Sequence, residues 1–475
     1  MVTFSRAMKR PALIYIVMLL LFGFGIFLII RQGQKSSHAM PVETVAPVAA
    51  DSAFTWTAFE ANLKEPLSRL LLQVVLIVVA TRAVGAVFAR LGQPSVVGEI
   101  LAGILLGPSL FGWLSPDAFA FVFPADSMEV LKLLSQIGVC LFMFVVGLEL
   151  EVSHMKQKAP AAVVISHVGI LFAFFLGVIC AWWLFPNYGS AGTSFTSFAL
   201  FMGIALSITA FPVLAHILKE RNLTQTVLGS TALTCAAVND ATAWAILAFV
   251  VASAQAGSLA FTTFCLGLVL GFVAFMLFVV RPQLPRWLDT QSAGGESPKR
   301  GGVAIVLLLI LISALTTELI GIRALFGAFI AGLIMPQKRQ FREYLIVRLE
   351  NFSSLFLLPL FFAFSGLRTQ VGLVNDSTSW LVCLAIIGIA TLGKLGGTMI
   401  TARFTGMNWN DSFALGALMN TRGLVELVAL NIGYDLGILS PRIFAMMVLM
   451  ALVTTFLTGP LLNLGERMKP RAAPA

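Results

Sequence analysis

The sequence predicts an all-α polytopic membrane protein. About thirteen core transmembrane helices form two inverted repeats with crossed, broken helices, and one extra hydrophobic helix precedes them. Three observations carry this. Apolar residues make up 58% of the chain and charged residues only 11%, where a soluble domain carries about 25% charged. Apolar runs of spanning length recur along the whole chain, each near the roughly 20 residues that a bilayer helix needs. The basic residues collect in alternate loops, as oriented spans require. The net charge of +9 is then a property of loops and gives no reason to expect a nucleic-acid partner.

Residues 11–30 form the leading apolar run, behind Arg6, Lys9 and Arg10. Its length and the lack of a small-x-small cleavage site after it favour an uncleaved anchor over a signal peptide. A polar linker rich in Ala, Pro and Val follows, so residues 1–66 read as anchor and linker. The body, residues 67–465, holds candidate spans at roughly 67–88, 95–113, 129–150, 159–185, 196–217, 224–253, 259–280, 302–320, 324–336, 346–366, 379–402, 411–434 and 441–463. Residues 466–475 read as a short cytoplasmic tail.

Loop charges test this count. If the first of these spans enters from outside, the inner side receives Arg82, Arg90, Lys156, Lys158, Lys219, Arg221, Arg281, Arg286, Lys299, Arg300, Lys338, Arg339, Arg342, Arg348, Arg403, Arg467, Lys469 and Arg471. The outer side receives only Arg31, Lys35, Lys64, Arg69, Arg323, Arg368 and Arg442. Lys132, Lys394 and Arg422 are left within the membrane. The positive-inside rule thus supports thirteen spans and a cytoplasmic C-terminus.

Two spans look broken. The fifth carries Ser207, Thr209 and Pro212 at mid-length, and the twelfth carries Asn420, Thr421, Arg422 and Gly423. Setting Ala205-Leu206 against Ala417-Leu418 places Thr209 opposite Thr421. The two spans lie an odd number apart and cross the membrane in opposite directions. Discontinuous helices at matching points of an inverted repeat mark a transporter binding site, although a proline kink kept for packing is common in membrane helices.

Between them runs TALTCAAVNDATAWAILAFVVA, Thr231 to Ala252, with Asn239 and Asp240 at its centre. A charge at mid-bilayer costs at least about 2.5–3.5 kcal/mol, so its default reading is functional. A desolvated carboxylate must be neutralised, and a proton or a monovalent cation serves alternately. Asn239, Ser207 and Thr209 offer hard oxygen ligands beside it. Lys394, a lone ammonium in an apolar span, balances Asp240 or the dipoles of the half-helices; the plainer alternative is a lysine snorkelling to the interface. Arg422 and Glu426, spaced i, i+4, read as a supporting pair or as a gate. Other charges read more simply. Glu99 pairs across helices, Glu149 and Glu151 close the third span, Lys132 lies near a helix end, and Glu318 and Arg323 form a surface pair.

The five cysteines (Cys140, Cys180, Cys235, Cys265, Cys383) lie in apolar segments without metal-type spacing. They read as buried apolar residues, and no cofactor is expected, nor any metal beyond a transported cation. His167 and His216 read as packed residues. No nucleophile–base pair points to an enzyme.

QPSVVGEILAGILLGPSLFG, GVCLFMFVVGLELE, ALSITAFPVLAHILKE, the Val238-Asn239-Asp240 element and NTRGLVELVALNIG together resemble the monovalent cation:proton antiporter superfamily. The branch they resemble holds Kef-type potassium exporters, NapA-like sodium/proton antiporters and plant cation/H+ exchangers. The resemblance covers about residues 67–465. It implies a core domain that moves against a dimerisation domain, and a homodimer. Matched by position, Asp240 is the ion-binding carboxylate, Asn239 its neighbour, Thr209 part of the unwound fifth helix, Lys394 the core lysine and Arg422 the twelfth-helix arginine.

Relatives with an Asp-Asp pair tend to be electrogenic, whereas Asn239-Asp240 implies one-for-one, electroneutral exchange. Lys394 as a second proton carrier is the alternative. No strand–GxGxxG–helix pattern follows the last span, so a regulatory nucleotide-binding domain is not expected. The expectation is therefore a multi-pass protein of the cell's inner membrane that exchanges K+, placed ahead of Na+, for H+ by alternating access. Two competitors differ in kind. A sodium-coupled solute symporter would need polar contacts for an organic substrate. A cation channel would need a filter or a continuous polar pore face.

Overall fold

The computed structural model describes Phe24 and residues 62–149, 159–224, 226–255, 259–289, 300–336 and 338–467. Apart from Phe24, the helix expected at 11–30 lies outside the described residues, as do most of the linker, nearly all of the tail and Glu151. Everything described is helix and connection, apart from one isolated antiparallel bridge between Gly189 and Leu439.

The helices run α1 Pro66–Arg90, α2 Ser95–Leu106, α3 Ala125–Glu149, α4 Ala159–Tyr188, α5 Phe195–Ser207, α6 Phe211–Glu220, α7 Val227–Gln255, α8 Leu259–Phe275, α9 Arg300–Ile320, α10 Ala324–Leu333, α11 Arg339–Phe352, α12 Leu358–Leu367, α13 Ser377–Thr391, α14 Gly397–Phe404, α15 Trp409–Met419, α16 Leu424–Asp435 and α17 Pro441–Arg467. Polar caps start several of them, because the first N–H groups of a helix lack internal partners. Ser194 accepts from Ser197 N–H ahead of α5, Asp376 from Ser379 N–H ahead of α13, and Asn408 from Asp411 N–H ahead of α15.

Among the described residues, eleven helices are long and apolar enough to cross a membrane. A twelfth is the pair α15 and α16, bent by 44° at its break. The span expected at 324–336 is the exception. It forms only the ten-residue α10, about 15 Å long. It starts at Ala324 as expected, behind a tight turn in which Gly321 and Arg323 adopt positive φ, and stops at Leu333, with Ile334 and Met335 in turn and bend ahead of Pro336.

Three spans contain a single π-helical turn where the sequence reads as continuous helix: Met276–Val280, Ser353–Leu357 and Leu392–Gly396. Such turns recur at functional sites. The last one contains Lys394.

The spans sort into two bundles by what packs on what. In the first, α1 lies on α2, α12 on α2 and α3, and α10 on α3 and α9. In the second, α4 packs on α5, α7, α13 and α14, while α17 packs on α13, α15 and α16. Lipid tails are as apolar as leucine, so close backbone approach holds membrane helices together. Gly103 of α2 and Gly366 of α12 show it reciprocally. A Cβ on Gly103 would lie 2.3 Å from Ala363 O, and one on Gly366 would lie 2.5 Å from Ile100 O. Only glycine fits at either position.

Candidate functional site

The second bundle is built around a crossing. Residues 208–210 separate α5 from α6, and residues 420–423 separate α15 from α16. Pro212 stands within the first turn of α6, where its missing N–H costs nothing. It starts the second half-helix and does not kink a continuous one. The two extended segments bind each other: Ala210 N–H donates to Thr421 O at 3.0 Å, and Thr209 Oγ1 donates to Met419 O at 2.7 Å.

Gly423 lets the segments approach. A Cβ there would meet Val213 Cγ2 at 2.8 Å and Ala210 Cβ at 3.1 Å.

Breaking a helix in a membrane orphans backbone groups, and each needs a partner. The carbonyls at the end of α5 find theirs in one side chain. Arg422 Nη1 donates to Ala205 O at 2.9 Å and to Ile208 O at 2.8 Å, and Nη2 donates to Leu206 O at 2.7 Å. A cation thus sits on the negative end of the half-helix. On its other side, Arg422 Nε lies 3.6 Å from Glu426 Oε2, with both side chains wholly buried. Thr421 Oγ1 donates to Leu418 O, and Asn420 Nδ2 donates to Thr454 O at 3.5 Å.

Two holders come from other helices. Asn239 Oδ1 of α7 accepts from Thr209 N–H at 2.8 Å. Thr455 Oγ1 of α17 accepts from Arg422 N–H at 2.9 Å and donates to Arg422 O at 3.1 Å. Thr455 is not among the residues that the sequence singles out. The cluster of Thr454, Thr455 and Thr458 in an apolar span was the signal that could have found it.

Asp240 follows Asn239 on α7 and is 1% exposed. Its carboxylate faces the backbone N–H of Phe211 at the start of α6, the end of a half-helix that favours negative charge. Among the described residues, neither of its oxygens closes a hydrogen bond. Lys394 is also fully buried, its Nζ without a hydrogen bond, and lies within electrostatic reach of Asp240, Glu426 and Arg422. Buried in this way, it does not snorkel to an interface. The crossing thus gathers two carboxylates and two cations; among the described residues the oxygens of Asp240 and of Glu426 close no hydrogen bond, and Glu426 has the Arg422 guanidinium 3.6 Å away.

The expected oxygen ligands divide differently. Ser207 Oγ donates to Ile204 O at 2.9 Å and keeps its lone pairs. Thr209 Oγ1 likewise donates its proton and keeps its lone pairs, while Asn239 Oδ1 is engaged by the Thr209 N–H of the crossing. Outside the crossing, Glu99 is buried on α2 with Arg82 of α1 as its charged neighbour, and Arg82 donates to Leu355 O. Glu318 does not pair with Arg323; it accepts from Ala324 N–H at 2.6 Å and caps α10. His167 Nδ1 contacts Val163 O at 2.9 Å.

Residues 74–464 match the sodium/hydrogen exchanger transmembrane family. The chain is 42% identical to the Na(+)/H(+) antiporter NhaS4 of Synechocystis over 82% of this chain and 96% of that one. It is 42% identical to Cation/H(+) antiporter 17 of Arabidopsis thaliana over 85% of this chain and 49% of that one. It is 34% identical to K(+)/H(+) antiporter 1 of Saccharomyces cerevisiae over 86% of this chain and 47% of that one. The chain thus spans about half the length of the plant and yeast relatives. Its fold is similar to that of the sodium proton antiporter MjNhaP1 from Methanocaldococcus jannaschii, with a TM-score of 0.58 at 14% identity, over 85% of this chain and 99% of that one.

Proposed function

The chain belongs to the sodium/hydrogen exchanger transmembrane family, and on that premise we propose that it is a multi-pass secondary transporter that exchanges a monovalent cation for protons by alternating access. The observation that carries this reading is Asp240, a wholly buried carboxylate that faces the N-terminus of a half-helix at a crossing of two broken helices. Proton and cation compete for that carboxylate, and this competition couples their movements. The cation is K+ or Na+, and the names of the relatives divide between the two.

Each residue has a part. Asp240 binds the proton or the cation, with the Ser207 hydroxyl as a further oxygen nearby in sequence to the break. Asn239 and Thr209 hold the crossing in register. Arg422, paired with Glu426, neutralises the end of α5. Lys394 supplies a compensating positive charge near Asp240. Either loaded form of Asp240 adds the same single positive charge to this set, so exchange is one-for-one and electroneutral. We further propose a homodimer in the cell's inner membrane with a cytoplasmic C-terminus, as the loop charges favour.

The test is proton flux in proteoliposomes under a pH gradient, with K+ or Na+ added in turn and the membrane potential clamped or free. One cation should collapse the gradient regardless of potential, and Asp240→Asn should be silent. Normal transport by Asp240→Asn would remove the basis of this assignment. Dependence on potential would make Lys394 a second charge carrier.

A further inference from the structure

Among the described residues, two ion pairs join the two bundles at the far end of α16 from the crossing. Asp435, the last residue of α16, lies 3.1 Å from Lys132 Nζ of α3 and 2.6 Å from Arg368 Nη2, just beyond α12. Arg368 Nη1 also donates to Asn431 Oδ1 of α16 at 2.9 Å. Asn431 Nδ2 in turn donates to Ser365 Oγ of α12 at 2.8 Å. The Arg368 guanidinium stands over the Tyr434 ring of α16 at 4.4 Å and the Phe364 ring of α12 at 5.2 Å. Every one of these polar bonds runs from α16 in the second bundle to α3, α12 or the residue that follows α12 in the first.

The chemistry differs from that inside each bundle. Within the first bundle, helices are locked by backbone contacts at glycine, as at Gly103 and Gly366, and such contacts cannot slide without a clash. Here the contacts are charges at a wet mouth: Lys132 is 33% exposed, Arg368 16% and Asp435 10%. Water can replace these partners when they separate, so they can break and re-form.

Beneath them lies a cleft between the bundles, lined by Gln136 and Cys140 of α3, Phe361 of α12, and Val428 and Ile432 of α16. Cys140 is a free, half-buried cysteine. Asn431 and Asp435 of the ion-pair network also line it, as do Glu318 and Arg323, and Cys140 places a native thiol on its wall.

We propose that Asp435, bound by Lys132 and Arg368, is the latch of this end: it holds α16 against the first bundle, and its release opens the cleft beneath to water. The transport role of the latch rests on the antiport reading; the structural claim, that this bond governs access to Cys140, does not.

Cys140 provides the test. In protein reconstituted in lipid nanodiscs, with Cys180, Cys235, Cys265 and Cys383 replaced by alanine, Cys140 is labelled with a charged, membrane-impermeant methanethiosulfonate. Asp435→Asn keeps the shape and removes the charge. Labelling should accelerate roughly tenfold, the change that losing a charge-assisted hydrogen bond makes in a two-state equilibrium. Lys132→Met should accelerate it less, since Arg368 still holds Asp435. Unchanged labelling in both variants, each monodisperse, would overturn the latch. If Asp435→Asn fails to fold, Lys132→Met decides alone, because its partly exposed side chain is no part of the packed interior. Faster labelling together with transport that survives Asp240→Asn would keep the latch and discard the antiport assignment.

Discussion

The backbone N–H of Thr209 donates to Oδ1 of Asn239 at 2.8 Å, so the side chain preceding Asp240 helps hold the broken helix open. The carboxylate and the break are therefore one unit. Asn239→Ala leaves a buried N–H without a partner, at a cost of about 1–3 kcal/mol, and should lower both thermal stability and transport. Asn239→Asp keeps the acceptor and adds a second carboxylate. That variant should stay folded and make proton flux in proteoliposomes respond to membrane potential; indifference to potential would show that position 239 only supports the backbone.

Arg422 is held by three carbonyls and by Glu426. Removing one partner of a buried ion pair costs roughly 3–5 kcal/mol, so Arg422→Ala should be severely destabilised in a thermal melt in detergent. Arg422→Lys should fall short of wild type, because an ammonium cannot reproduce the fork. Adding Glu426→Gln to Arg422→Ala should recover part of the loss, and a full double-mutant cycle measures how much of it is pairwise.

Gly423→Ala drives a methyl group into Val213 at the crossing. Overpacking of this kind costs about 1–3 kcal/mol. Transport should fall, and Val213→Ala in the same chain should restore it at least in part. A lone Gly423→Ala with unaltered flux would show that the crossing has slack.

Asp376 lies outside the spans and caps α13. Ser379 Oγ donates to its carboxylate at 2.6 Å and Ser379 N–H at 3.0 Å, and these bonds hold its carboxyl below the usual range. A depressed acid stabilises the fold above its unfolded pKa, and that contribution disappears as pH falls through the folded value. The stability gap between wild type and Asp376→Ala should thus be widest near neutral pH and close below about pH 4. Melting curves across pH read it directly.

Much of the site was legible because a membrane penalises polar groups. Asp240, Lys394, Arg422 and Glu426 stand out against apolar spans, and so do the two breaks. Less legible were the roles. Asn239 Oδ1 and Thr209 Oγ1 also hold the crossing together, because an unwound segment in lipid must satisfy its own backbone. The pairing of Glu318 with Arg323 did not form, because the end of α10 offered Glu318 an orphan N–H. Thr455 and Asp435 went unnoticed: each acts on residues distant in sequence, and only packing reveals such partners.

Composition, span length and loop charge by themselves determine an all-helical membrane protein with charges at two broken helices, since each follows from the local cost of placing a residue in hydrocarbon. Which carbonyls Arg422 caps and how Asp435 bridges the two bundles were decided only by the tertiary structure. Those contacts join helices far apart in the chain, and only the packing of the helices sets which groups meet.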